Sequence, residues 1–495
     1  MDNEIRKMFW RLADILLLFY FFTFIPLNVS GQCPSSRHSK QTSAHARRTS
    51  AVRRDGLYIG ERRQLVVLVD FSDKKFQDEA PLTLWGKIFN QEHFTDSPFY
   101  GSVHDYFYDQ SYGQFSLSFD LHYVALDESY RTYGGSTEED DTKAGLLLIK
   151  LVEDLQDDVA DWSPYDWDGD GEIDQVFILY AGKGQNYGGG AGSIWPHQWS
   201  LSGMGAEYKV DWGHPYTLTS GGQTWTIDRY GCFAELTGTD TYGSFGTLCH
   251  EYGHCLGLPD FYYGSSSSVV RTWDIMDYGN NNLGGFCPPG YSAHERMYLG
   301  WLTPKELTMP ATVSNMGALT DTQEAYLIRN DGYPQEFYVL ENRQPTGWDQ
   351  SLPGSGLVVF HVDYDEQVWR EGVPNSSAYK RYSIIPANNR TTGSYAGWAY
   401  PYEANDSLTN SSRPAAVLNN VNTDGSKLMN KSVRDIMVSG GLASFRFTVD
   451  TPTGIIEHYA KGKPMVLYKL GPIYIERCAN GEIRKVMKHK EQIIE

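Results

Sequence analysis

The sequence predicts an α+β protein in which a mixed strand-and-helix part precedes an all-β part. Three observations carry this. Two short apolar runs, Leu65–Val69 and Val176–Tyr180, have the unbroken texture of strands buried on both faces. Between them, Lys143–Leu155 (KAGLLLIKLVEDL) repeats its apolar residues at helical spacing. After Trp301, runs such as Phe337–Leu340 and Gly356–Val362 alternate with Pro, Gly and Asn turns, and no convincing helix interrupts them. At roughly 150 residues per domain, 495 residues allow two or three domains, each able to bury its own core.

In chain order, Arg6, Lys7 and Arg11 precede an apolar run from Ile15 to Leu27, and the small residues Ser30 and Gly31 follow. This is the layout of a secretory signal peptide over 1–31, and the run is shorter than the roughly 20 residues that cross a bilayer. No other segment is long and apolar enough to span a membrane, so a secreted or cell-surface protein is expected. Residues 32–63 are polar and basic, with Arg47-Arg48, Arg53-Arg54 and Arg62-Arg63 doublets, and read as a basic linker or short pro-segment. Residues 64–305 form the mixed domain, 306–450 an all-β sandwich or barrel, and 451–495 a tail.

The charge balance, 42 Lys and Arg against 61 Asp and Glu, leaves a net charge of −19. That argues against a nucleic-acid partner, whose phosphates an acidic surface repels. Six cysteines with no CxxC pair are too few for a disulfide-built scaffold, although Cys232 or Cys287 could pair with Cys249 or Cys255 in an oxidising space. His197 and His361 read as structural. The glycine cluster Gly182–Gly192 lacks a phosphate-binding frame and reads as a loop bordering a substrate cleft.

The most informative segment is His250-Glu251-Tyr252-Gly253-His254. Phe245, Leu248, Cys249 and Tyr252 recur at i, i+3, i+4 and i+7, the stripe of a helix docked on a core. On that helix His250 and His254 leave the same face one turn apart, as two imidazole ligands of Zn²⁺ do. Glu251 is rotated by about 100° and stands beside the ion, where a general base takes a proton from water. Gly257 can end the helix in a left-handed turn that returns Asp260 to the ion as a third ligand. Glu295 is the alternative third ligand. Three protein ligands leave a position for water, the mark of a catalytic rather than a closed structural site. Downstream, Met276 lies in Trp273-Asp274-Ile275-Met276-Asp277-Tyr278, placed to floor the histidines as the Met-turn of metzincin peptidases does. Tyr278 is a candidate to reach the metal or to stabilise an oxyanion.

The segment from Thr247 to Tyr278 (TLCHEYGHCLGLPDFYYG…WDIMDY) resembles the immune inhibitor A family of secreted metallopeptidases. So do VVLVDFSDKKF at 66–76, SVHDYFYDQSYGQFSL at 102–117, IWPHQW at 194–199, YLGWLTP at 298–304, VLENRQPTGW at 339–348 and GLVVFHVD at 356–363. The resemblance implies a metzincin-like zinc endopeptidase acting on proteins or peptides, with His250, His254 and Asp260 as ligands and Glu251 as catalytic base. The competing reading is a non-catalytic, calcium-binding surface or adhesion protein that retains the fold. The sequence is silent on oligomeric state.

Asp166, Asp168, Asp170, Glu172 (through its carbonyl) and Asp174 match the first half of an EF-hand-type Ca²⁺ loop. The twelfth position is Phe177, so the loop is incomplete, and an acidic turn feeding the next strand is the plain alternative. In the tail, Gly471–Arg477 (GPIYIER), Gly481 and Arg484-Lys485-Val486 resemble a shortened sorting domain of the type IX secretion system, which would make the secretion machinery a partner. A simple β-hairpin is the alternative.

Overall fold

The computed structural model describes residues 57–135, 141–237, 242, 245–263, 267–372 and 374–450, together with the backbone of three tail strands. The expected signal peptide, most of the basic segment, Cys33 and Cys478 lie outside the described residues. Two compact units are present, one running to Val449 and the other from Asp450.

The first unit opens on β1 (Gly60–Asp70), followed by α1 (Pro81–Asn90), α2 (Val103–Gln110) and β2 (Phe115–Ala125). Strand β1 begins inside the segment that the sequence assigns to the linker, because its register with β2 starts at Gly60↔Phe115. The Arg62-Arg63 doublet is therefore strand, and Arg63 is tied to Asp120 at 2.8 Å. Next come α3 (Ala144–Leu155), β3 (Glu172–Ile173), β4 (Val176–Lys183), β5 (His197–Ser200), α4 (Leu201–Tyr208), β6 (Tyr216–Ser220), β7 (Gln223–Ile227), β8 (Arg229–Leu236) and α5 (Phe245–Cys255).

The main sheet has the order β2-β1-β4-β8-β5, parallel except for β5 at its edge. Its central strands explain the unbroken apolar runs. Leu65, Val67 and Val69 face one core with α3, whereas Val66 and Leu68 face a second core that holds Leu248, Cys249 and Tyr252 of α5. Alternate residues point to opposite faces, and both faces are covered.

The β-rich part follows α6 (Ala293–Tyr298) and contains β9 (Lys305–Glu306), β10 (Ala311–Met316), β11 (Tyr326–Arg329), β12 (Glu336–Arg343), β13 (Gly356–Asp363), a short α7 (Glu366–Arg370), β14 (Tyr382–Ile384), β15 (Lys431–Ser439) and β16 (Leu442–Val449). One sheet has the order β14-β13-β12-β11-β9 and the other β10-β16-β15. Tyr338 and Leu340 of β12 share a core with Val433 and Phe445 of the second sheet. Phe337 and Val339 instead join the core that holds α5. The β-rich part is thus packed against the helix carrying His250.

Polar ties reinforce that seam. Buried Arg343 reaches Asp349 and Glu341 at 2.6 and 2.9 Å and donates to the Gly290 carbonyl, while Glu341 accepts from the backbone N–H of Ala293. A buried ion pair of this kind is satisfied on all sides, so removing one partner strands a charge. By itself, the second unit contains a three-stranded antiparallel sheet of β17 (Met465–Leu470), β18 (Ile473–Arg477) and β19 (Ile483–Met487).

Candidate metal centre

Helix α5 packs the aromatic and apolar side of its stripe into the core and turns both histidines toward one point. The Nε2 atoms of His250 and His254 lie 3.2 and 3.3 Å from the same Asp260 oxygen, Oδ1. Four ligands about 2.0 Å from a tetrahedral ion sit about 3.3 Å from one another, so this spacing is what Zn²⁺ requires. Nε2 of His250 and Oδ1 of Asp260 are buried and make no hydrogen bond. Buried donor and acceptor atoms rarely stay so unless something else, such as an ion, satisfies them. Nitrogen and carboxylate oxygen donors are also the right chemistry for zinc.

Each imidazole is aimed by its other nitrogen. Nδ1 of His250 lies 2.7 Å from the Ile275 carbonyl, and Nδ1 of His254 lies 2.8 Å from that of Leu258. A carbonyl can only accept, so both Nδ1 atoms carry a proton and both Nε2 atoms face the shared point. Burial disfavours charge on His254, but Asp260 more than offsets this and lifts its pKa to about 9 in the metal-free site. Burial likewise raises Asp260, but its two imidazole neighbours outweigh that and hold it well below the usual carboxylate range.

Asp260 arrives by way of Gly257, whose φ of +90° is the left-handed turn that closes α5. Glu295, the other candidate third ligand, is occupied elsewhere. Its Oε2 accepts from the backbone N–H of Ser292, and it forms a capping box at the start of α6. Glu251 is buried on α5 next to His250.

Met276 lies fully buried beneath the pair. A Cβ on Gly253 would come within 2.7 Å of the Met276 sulfur, so the glycine between the histidines makes room for it. The Met276 carbonyl also accepts from the N–H of Phe261, next to Asp260. Two aspartates fasten this turn. Asp274 accepts from the N–H of Met276, and Asp277 accepts from those of Val269, Val270 and Arg271. Tyr278 is half-buried and begins the helical turn after Asp277. Sequence reasoning passed over both aspartates and over Tyr262, whose ring lies parallel to His250 at a centroid distance of 6.4 Å. Only their adjacency to the motif could have flagged them.

The glycine-rich loop reaches this helix, with the Tyr187 hydroxyl 3.3 Å from Thr247 Oγ1. His197 lies between the Trp195 carbonyl and the Tyr230 hydroxyl, and His361 pairs with Glu336 at 2.7 Å. Cys232, Cys249, Cys255 and Cys287 are all buried free thiols. The pairing considered for them from sequence does not form: Cys232 lies in the core shared with α3, and Cys249, Cys255 and Cys287 lie unpaired in the core that holds α5.

At the acidic loop, ligand atoms of Asp166, Asp168 and Asp170 lie within 4.8 Å of one another. Their oxygens also accept from the loop's own backbone. Asp166 takes the N–H groups of Gly169, Asp170 and Gly171, Asp168 that of Asp170, and Asp170 that of Glu172. Asp174 accepts from the Trp167 N–H across the loop. Glu172 lies in strand β3.

An HExxH helix joined by a carboxylate from the following turn is the donor arrangement seen in metal-dependent hydrolases. The comparisons with known proteins agree. Residues 57–301 match the family described as immune inhibitor A peptidase M6, catalytic domain. The chain is 27% identical over 290 residues to immune inhibitor A of Bacillus thuringiensis subsp. alesti, which covers 49% of this chain and 40% of that relative. It is 26% identical over 324 residues to the pre-pro-metalloprotease PrtV of Vibrio cholerae serotype O1 (strain M66-2), covering 54% of this chain and 33% of that one. The chain thus spans less than half the length of the curated relatives it matches. The likeness is thus to the immune inhibitor A (M6) metallopeptidases, and residues 57–301 carry it.

Proposed function

We propose that the protein is an exported zinc-dependent endopeptidase in which His250, His254 and Asp260 hold the metal and Glu251 is the general base. The observation that carries the reading is the convergence of two buried Nε2 atoms on one carboxylate oxygen at 3.2 and 3.3 Å. Bound zinc would polarise the scissile carbonyl and make a nearby water more acidic. Glu251 then takes the proton from the attacking water and hands it to the leaving amine. The Ile275 and Leu258 carbonyls keep the imidazoles in the tautomer that presents Nε2. Tyr278 donates a hydrogen bond to the carbonyl oxygen as negative charge develops there. On this reading residues 64–305 form a metzincin-like domain with Met276 in its floor, and 306–450 a sandwich-like domain.

Export is supported by the leader-like layout of residues 1–31, and among the described residues no helix is long and apolar enough to cross a membrane. The type IX sorting role of the tail rests on its sequence pattern. For the acidic loop, calcium is a secondary proposal, supported by the close approach of three carboxylates. Unchanged thermal stability on adding Ca²⁺ to chelator-treated protein would remove it. The endopeptidase reading is tested by casein hydrolysis with and without a zinc chelator. Hydrolysis that stops on chelation and resumes with zinc is expected. A zinc-loaded wild type with no hydrolysis would favour the calcium-binding adhesion protein.

A further inference from the structure

Gly372, Asn375 and Tyr382 lie well downstream of the matched catalytic domain, yet they back the loop that carries Asp260. The backbone N–H of Asp260 donates to the Gly372 carbonyl at 3.1 Å. Asn375 is buried, and its Nδ2 donates to the Phe261 carbonyl at 2.7 Å and to the Tyr382 carbonyl at 2.9 Å. Its Oδ1 accepts from the N–H groups of Arg381 and Tyr382, which completes its hydrogen-bonding capacity. The Phe261 ring stacks on Tyr382 with centroids 3.7 Å apart. The Tyr382 hydroxyl donates to Asp274, whose other oxygen accepts from the N–H of Met276.

We infer that Asn375 and Tyr382 are positioning residues of the metal centre, through which the β-rich part sets both the Asp260 loop and the Met276 turn. The inference rests on the zinc reading above. Neither residue touches the donor atoms. Asn375 fixes the Phe261–Tyr262 peptide, one residue beyond Asp260, and Tyr382 fixes the turn whose Ile275 carbonyl aims His250. Partners of metal ligands characteristically change metal affinity by about 10–100-fold when altered. Folding of residues 57–301 alone would leave Asp260 without this support, so the downstream strands are part of the working site.

The test compares zinc affinity, by chelator competition on the full chain, for wild type, Asn375→Asp, Tyr382→Phe and Asn342→Ala. Asn375→Asp keeps the acceptor and replaces the donor facing Phe261 with a carboxylate oxygen. Asn342 is a buried asparagine of β12, bonded to Met316 and Gly441 rather than to the site, and controls for general loss of stability. Zinc binding weakened about 10–100-fold in Asn375→Asp and less in Tyr382→Phe, with Asn342→Ala at the wild-type value, is expected. Should Asn375→Asp fail to fold, Tyr382→Phe, which keeps the stacked ring, decides the matter. Wild-type affinity in the altered chains, or equal weakening in Asn342→Ala, would overturn the inference while leaving zinc binding intact. A wild type that takes up no zinc overturns the underlying reading as well.

Discussion

Gly253 shows most plainly how one position serves the centre. It separates the two histidines on α5, and the Met276 sulfur occupies the space a side chain would need. Gly253→Ala forces that sulfur or the helix to move, and overpacking of this kind costs about 1–3 kcal/mol. A fall in melting temperature together with weaker zinc binding is expected, and unchanged values of both would refute the packing account. His254 gives a second prediction. Its folded pKa in the metal-free site is raised to about 9 by Asp260. The stabilisation this brings is fully present below the unfolded value near 6.5 and is lost as pH rises through about 9. Metal-free protein should therefore lose stability across that window. On the zinc reading, binding at pH 7 displaces the His254 proton, and calorimetric titrations in buffers of different ionisation enthalpy should show proton release. Identical heats in all buffers would contradict it.

At the scale of elements, Asp277 acts as the staple of the Met276 turn, accepting three consecutive backbone N–H groups. Asp277→Ala leaves those donors without an acceptor, at about 1–3 kcal/mol for a buried group left unsatisfied. Denaturant unfolding should register this loss, and a neutral result would mean that the turn holds itself. Helix α5 was legible in the sequence because its apolar stripe, its His-x-x-x-His spacing and the glycine that ends it are all local signals. The central strands were legible for the same reason, since burial on both faces leaves an unbroken apolar run. The parts that could not be read depend on long-range closure. Gly372, Asn375 and Tyr382 meet Asp260 and Phe261 from more than 100 residues away, and no spacing rule links them. The Arg62-Arg63 doublet reads as linker because the first residues of β1, which pair with β2 alone, can be charged and still be strand.

For the whole molecule, the first sheet of the β-rich part has two covered faces, one in its own core and one against α5. A chain ending after Trp301 would expose the apolar wall that Phe337, Val339 and Phe360 now cover. Such a truncation should be poorly soluble and unable to hold zinc, as gel filtration and metal analysis would reveal. A soluble, zinc-binding fragment would show that the catalytic part stands alone. The four described cysteines are buried free thiols, so replacing any of them by serine should not remove a cross-link, and thiol titration of the unfolded chain should count all four.

The central claim is that a carboxylate beside a metal held by two imidazoles performs the chemistry. The most direct measurement is zinc content and peptide hydrolysis of wild type and Glu251→Gln, purified side by side. One zinc per chain in both, with hydrolysis reduced at least about 100-fold in the variant, is the predicted result. Full hydrolysis by Glu251→Gln, or by wild type stripped of metal, would contradict it.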